Sequence, residues 1–476
     1  MARRALFLLL TIALFATGCS SEPSDEISDD PSDRNPQAQI LPPANLDGPG
    51  SGDGDGDFEV PENNDDGRLV VQSAEAQLST MLPDGTEVMA LTDPGTQNRQ
   101  AAWAPDGSRI AWVQIDATTG ERSIALDRFD RSDTRNVPIE TAPFYLYWDP
   151  SAARIAHLSP STGGIDLGIT EPFAEDGPET RRVDRGQPFF MSWGPDGDEL
   201  LVHASGFRLD RIDLGSATVI VEEFPARFGA PSWLEDNSLV FADVQEDEQF
   251  LVTTGPTGEG RRPLISFPGT LRFSVSNQGN RIAMQAVPTN DDDNVVTAST
   301  GPTPPEATLA QQDDPEPTPA PGFDDSLDAI EPLSPGVPYV MGTFGGEPFP
   351  LSDQPALAMF PSPDGQSIAW FEVSPDTPGA LVLKVDQGGS VSTTRPFIPS
   401  NETTTNYLPF FDQYELSHDF WSPSSRLFVY AGRTPGDRTN GIFTFDRDTG
   451  EITRVADGVV ASFTRTPQAA GAASAL

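Results

Sequence analysis

One cysteine in 476 residues, Cys19, excludes an internal disulfide and any site built from several thiolates, so burial has to hold the fold together. Lysine is as scarce: Lys384 stands alone among the basic residues, and the rest are arginine. The three histidines, His157, His203 and His418, lie too far apart in sequence to suggest a metal triad. Beyond the first twenty residues no stretch approaches eighteen consecutive apolar positions, so no downstream segment is expected to cross a bilayer as a helix. A Gly-x-Ser-x-Gly nucleophile elbow is missing, as is any α/β segment that could carry one. No cofactor motif appears, and none is expected. Positive charge is sparse: 29 Lys and Arg face 72 Asp and Glu, a net charge of −43. Such a surface repels nucleic acid and anionic headgroups. Abundant acid with little lysine fits a saline habitat, where salt screens self-repulsion. The other reading, and the stronger one, is a GC-rich genome that favours arginine codons.

What is present begins with a leader. Met-Ala-Arg-Arg, the apolar run Ala5 to Ala16 and the small residues before Cys19 form a basic, then apolar, then cleavable segment over 1–18. The end of this leader resembles a bacterial lipobox, which implies lipidation of Cys19 and export to the cell envelope, periplasmic or at the cell surface. Ala16 stands where that pattern prefers Leu, and the second reading is an ordinary secretory signal with an incidental cysteine. Residues 19–67 read as a disordered tether. From 20 to 67 they hold fourteen acids, one base (Arg34) and few large apolar groups, too little to offset the entropy of ordering. As a coil the tether would span roughly 35–40 Å. Residues 289–337, with eleven acids, no base and a Pro-rich centre, read as a disordered insertion, and 467–476 as a disordered tail. Asp53-Gly-Asp55-Gly-Asp57 has the alternating carboxylates of a calcium loop. Phe58 and Asn64 occupy the positions that need Gly and Glu, so solvated linker is the stronger reading and weak divalent-ion binding the other.

Internal repeats decide the fold. Trp103-Ala-Pro-Asp-Gly-Ser-Arg-Ile-Ala-Trp112 returns at Trp193 and, with one extra residue, at Phe360; weaker copies start at Trp148, Trp233, Phe273 and Trp421. The starts lie 45, 45, 40, 40, 87 and 61 residues apart, and the insertion accounts for the 87. Each unit reads as four short antiparallel strands. The aromatic closes the first strand and wedges between neighbouring sheets, Pro-Asp-Gly makes the turn, and an alternating apolar run makes the second strand. Four strands every 40–45 residues indicate propeller blades. Three strand-like runs at Leu69 to Gln72, Ala76 to Met81 and Glu87 to Thr92 lack a first strand, and Val459 to Phe463 is a first strand with no successors. Together they complete one blade from both termini. The expectation is an all-β, eight-bladed β-propeller over 68–466, with seven blades if one weak unit is misread.

At these residues the chain resembles the PD40 repeats of TolB-like propellers, strongly in three units and loosely in the others. TolB carries an added amino-terminal α/β domain and six blades, so its partner is not carried over. A fainter resemblance is to BamB, an eight-bladed envelope lipoprotein, through the single turn Asp446-Arg-Asp-Thr-Gly450.

A propeller does not fix a function, which has to come from a site. His157 and His203 occupy matching places on second strands and read as blade packing. The segment from Pro399 to Phe420 stands out: a long, aromatic-rich loop, expected to connect an outer strand to the next inner strand over the face where the channel opens. Tyr407, Phe410, Phe411, Tyr414 and His418 are its candidate partner-binding residues. The other reading, and the stronger one, has these aromatics fold down to plug the channel or cap a blade edge. The expected function is a non-enzymatic, lipid-anchored binding or scaffold module for an envelope protein or glycan. The alternative is an envelope enzyme acting on polysaccharide at the channel mouth, which would need converging carboxylates there.

Overall fold

The short period-two runs between Pro-Asp-Gly turns pair into eight four-stranded antiparallel sheets, and each sheet is one blade of an eight-bladed β-propeller. The computed structural model describes residues 66–465 apart from 187–188, 205–207, 215–217, 226–228, 235, 246–247, 257, 277–279, 288–332 and 335. The leader, most of the tether, most of the acidic insertion, the Asp53–Asp57 segment and the tail therefore lie outside the described residues, and with them Cys19. Blade 1 is the composite one: Leu69–Gln72 pairs with Leu78–Met81 on one side and with the closing strand Val460–Phe463 on the other, and Met89–Ala90 forms its outer edge. The first and last strands thus close the ring.

The innermost strands of the next six blades are Thr96–Trp103, Tyr145–Trp148, Phe189–Trp193, Ser232–Trp233, Thr270–Val275 and Ala356–Pro361. All begin at one end of the channel, here called the entry end, and finish at the exit end. The acidic insertion joins the second and third strands of blade 6, Arg281–Val287 and Pro338–Gly342. Its last residues are packed: Leu333 is buried, and its amide donates to the Ser266 carbonyl of blade 5.

The recurrent tryptophans do what their spacing suggests. Trp103, Trp148, Trp193 and Trp421 are at most 3 % exposed. Three of these indoles also bond the preceding blade: Trp148 Nε1 donates to Ala102 O (3.1 Å), Trp193 Nε1 to Tyr147 O (3.2 Å) and Trp421 Nε1 to Phe360 O (2.9 Å). Each wedge therefore fixes its neighbour's position as well as filling space. The fourth residue after the aromatic explains how the weak repeats still turn. In the strong units it is Gly107 or Gly197, with φ near +70°, and in the weak ones Ala152, Asn237 and Ser425 hold the same left-handed conformation at φ of 59° to 63°. The hydrogen-bonded turn is kept even where the glycine is not. Ala152 and Ser425 do so at a steric cost of roughly 1–2 kcal/mol each.

Candidate functional site

Blade 8 departs from the other seven. Its inner strand starts as Ile398–Pro399, paired with Arg433 and Gly432 of the second strand Leu427–Arg433, and resumes only at Trp421, which bridges Phe428. Ser400 N donates to Ala431 O and Val429 N to Phe420 O, so residues 401–419 stand opposite the single residue Tyr430. The aromatic segment is an insertion inside an innermost strand, and this corrects the expectation that it joins an outer strand to the next inner one. A detour from the middle of an inner strand has one place to go, the channel.

Within the detour a π-helical turn (Thr403–Tyr407) and a 3-10 turn (Leu408–Phe410) lead into a short α-helix, α1 (Phe411–Glu415), every residue of which is buried. Its successive side chains reach successive blades. The Tyr414 hydroxyl donates to Gln100 Oε1 of blade 2 (3.1 Å). Gln413 Nε2 donates to the Tyr145 hydroxyl of blade 3 (2.7 Å) and to Met191 O of blade 4 (2.9 Å), while its Oε1 accepts from Met191 N (2.7 Å). Asp412 Oδ2 accepts from Ala230 N at the start of blade 5 (3.1 Å). Phe411 packs edge-on against Phe360 of blade 7, and α1 lies against Thr270–Val275 of blade 6. Beyond α1, Asp419 O accepts from Phe463 N of the closing strand in blade 1 (2.7 Å). Residues 401–419 thus touch all seven other blades from inside their own, and they form a plug.

Of the five candidate contact residues, Tyr407, Phe411, Tyr414 and His418 are at most 5 % exposed and make the plug's core. The Tyr407 and Tyr414 rings lie 4.2 Å apart, and His418 packs edge-on to both. This placement matches the plugging alternative, because an aromatic side chain inside the channel gains more by packing on neighbouring rings than by standing in water. Phe410 alone is exposed (36 %). Gln413, which makes the most hydrogen bonds to the ring, gives no signal in the sequence: a lone polar residue between aromatics looks like any loop residue.

Burial controls the titrations here. Desolvation pushes the Tyr414 hydroxyl well above its ordinary range, a direction shared by Tyr145 and Tyr407. Glu415 is raised to about 8 by burial and by the Asp419 carboxylate. His418 is lowered to about 3 by burial and by Arg465. His157 is likewise lowered to about 4 by burial alone, with its ring over Gly168 of the paired strand. His203 lies beside Phe190, with Nδ1 3.0 Å from Gly229 O, so both histidines pack within blades. Among the described residues no three His, Cys, Asp or Glu side chains are arranged to hold a metal ion.

The geometry defines the class as an eight-bladed β-propeller with a self-filled channel. No known family profile matches the chain, and no curated protein matches it. Solved structures do. The dihydro-heme d1 dehydrogenase NirN aligns at a TM-score of 0.52 with 11 % identity, over 85 % of this chain and 75 % of that one. The β-propeller domain of the Trilobed protease from Pyrococcus furiosus aligns at 0.42 with 14 % identity, over 77 % and 97 %. TolB from Acinetobacter baumannii aligns at 0.32 with 15 % identity over 47 % of this chain, and the alignment spans 62 % of TolB's own length. At such identities the likeness is one of fold.

Proposed function

We propose that this protein is a lipid-anchored propeller of the bacterial cell envelope that serves as a non-enzymatic binding or scaffold module for a protein or glycan partner. The observation that carries the reading is the plug. In a ring of eight blades the channel is the natural cavity for a small ligand, and here 401–419 fill it with bonded and stacked side chains. The polysaccharide-enzyme alternative placed its chemistry at that channel mouth, where the chain's own aromatics now stand. What remains for recognition is the outer surface, and Phe410 is the aromatic plug residue that is exposed there, with Asn401 and Thr405 also exposed. The leader and Cys19 supply the anchor in this reading. No helix among the described residues is long and apolar enough to cross a membrane.

The test is a crosslinking pulldown from native envelopes with wild type and a Cys19→Ser variant. The expected result is a specific co-purified partner that is lost when the anchor is removed. Recovery of the bait alone, with wild type confirmed in the membrane fraction and no hit on a glycan panel, would overturn the scaffold reading.

A further inference from the structure

The entry end of the channel gathers arginines that have no acid of their own. In a chain with 72 acids and 29 bases an arginine readily finds a carboxylate. Arg131 pairs with Asp93, Arg154 with Asp149 and Asp198, and Arg426 with Asp66 and Asp446. Four arginines around the mouth do not. Arg99 lies in the entry half of the blade 2 inner strand and Arg272 in that of blade 6. Arg395 comes just before Ile398, where the blade 8 inner strand begins, and Arg433 is paired with Ile398 in the ladder. None of the four makes an ion pair among the described residues. Arg99 and Arg395 are exposed, and Arg272 and Arg433 are half-buried. The charges of Arg99, Arg272 and Arg395 act on Tyr414, Asp412 and Tyr430, which sets all three beside the plug. The plug's own acids on this side are engaged: Glu402 Oε1 accepts from Asn406 Nδ2 (2.7 Å), and Asp412 is bonded to Ala230 N. Two rings share the face. Phe144, 38 % exposed, immediately precedes the blade 3 inner strand, with its carbonyl 3.4 Å from the Tyr414 hydroxyl, and Phe410 immediately precedes α1.

We propose that the plugged mouth at the entry end is the docking surface for an acidic segment of a partner protein, with Arg99, Arg272, Arg395 and Arg433 taking its carboxylates and Phe144 and Phe410 its apolar side chains. This names the class of partner for the scaffold reading and rests on that reading. Charge selects the sign of the partner. A cationic partner would be drawn to the acid spread over the whole body and would have no reason to choose the mouth. An acidic segment is repelled by that body, but salt screens the repulsion beyond roughly 8 Å. At the mouth it meets guanidinium forks whose geometry matches a carboxylate. The rings select the kind of partner. Phenylalanine has no polar handle, so an exposed ring gains by covering apolar side chains, and aromatic residues with arginine are enriched where proteins meet. A charged glycan would satisfy the arginines but brings hydroxyls that two Phe rings cannot bond. Because α1 is buried beneath the mouth, the segment lies on a filled floor and does not enter the channel.

The test puts p-benzoylphenylalanine in place of Phe410 and, separately, in place of Val391 on the outer strand of blade 7, which is 45 % exposed. The full chain is crosslinked in native envelopes and the linked peptide is sequenced. The expected adduct at 410 is with a protein segment rich in Asp and Glu. Arg99→Gln together with Arg395→Gln should cut its yield by about fivefold or more, the scale of two exposed ion pairs. Neither arginine makes an ion pair in the fold, so this double variant should keep the wild-type Tm. The same charge change on the outer strand of blade 3, Arg182→Gln with Arg185→Gln, should leave the yield unchanged. A partner linked at 391 and never at 410 would leave the scaffold reading standing and overturn this one. So would an adduct at 410 with a glycan, with a neutral or basic segment, or with this chain's own acids. A yield that falls equally in the blade 3 pair would overturn it too, because net charge and not the mouth would then govern docking. No adduct at either position, in cells from which the pulldown recovers a partner, would count against it in the same way.

Discussion

Replacing Gln413 by Met tests how tightly the plug keys the ring. The side chain is 4 % exposed, and it accepts from Met191 N and donates to Met191 O and to the Tyr145 hydroxyl. Methionine nearly matches its volume, so packing changes little. What is lost is the pairing: Met191 keeps a buried N–H and a buried C=O with no partner. Each orphaned group costs about 1–3 kcal/mol, which gives roughly 2–6 kcal/mol in all. The Tyr145 hydroxyl still donates to Gln413 O and adds little to that figure. For about 400 residues unfolding as one unit, an entropy near 2.1 cal/mol/K per residue turns this into a fall of roughly 2–7 °C in Tm. Calorimetry together with guanidinium unfolding would measure it, with Gln366→Met on an exposed turn as the control. A loss below about 0.5 kcal/mol would refute the reasoning, because it would mean that the plug rests in the channel without being bonded to it.

The plug's two adjacent phenylalanines should separate cleanly in denaturant midpoints: Phe411→Ala, at 1 % exposure, is expected to cost about 3–5 kcal/mol. Phe410→Ala, 36 % exposed, should cost less, about 1–2 kcal/mol. At Gly168 an added Cβ would fall 2.3 Å from His157 Cε1, so Gly168→Ala should unfold blade 3 at lower denaturant, with a loss of roughly 1–3 kcal/mol or more. Ala152→Gly relieves a left-handed residue and should raise stability by up to about 1 kcal/mol, read by the same assay. On the acid side, His157 and His418 stay neutral in the fold to about 4 and about 3, so unfolding takes up protons once the pH drops below 6.5. Stability from each is whole above 6.5 and falls by up to about 1.4 kcal/mol per unit toward those values. Glu415 acts in the opposite direction, since its raised carboxyl gives stability that is lost as pH rises toward about 8. A plot of Tm against pH should therefore peak near 6.5, and a steady rise from pH 6.5 to 8 would contradict these assignments.

The ring was legible because its information is local. Trp103-Ala-Pro-Asp-Gly names a wedge, a turn and the start of a strand within five residues, and the unpaired runs at 69–92 and 459–463 announced their own joining. Even Ala152, Asn237 and Ser425 cost the reading little, since the turn they make is fixed by backbone hydrogen bonds. The plug was legible as an aromatic segment and illegible in its connection. Ile398–Pro399 is a strand of two residues, too short for alternation to mark it, and its partner lies beyond the whole insertion. Gln413 and Glu415 could not be singled out, because their roles depend on Met191, Asp419 and Arg465, brought close only when the ring closes. In a chain with 72 acids a single buried carboxyl leaves no compositional trace.

The central claim, that the chain fills its own channel, is tested most directly by thiol labelling. In a Cys19→Ser background no other cysteine competes. Ser417→Cys changes one atom type at a residue 1 % exposed, and Phe410→Cys puts a thiol at the plug's surface. The account predicts that the thiol at 410 reacts with a small maleimide at the rate of a free thiol. The thiol at 417 should be protected until denaturant unfolds the ring. Equal rates under native conditions would show the channel open to solvent and would contradict the account.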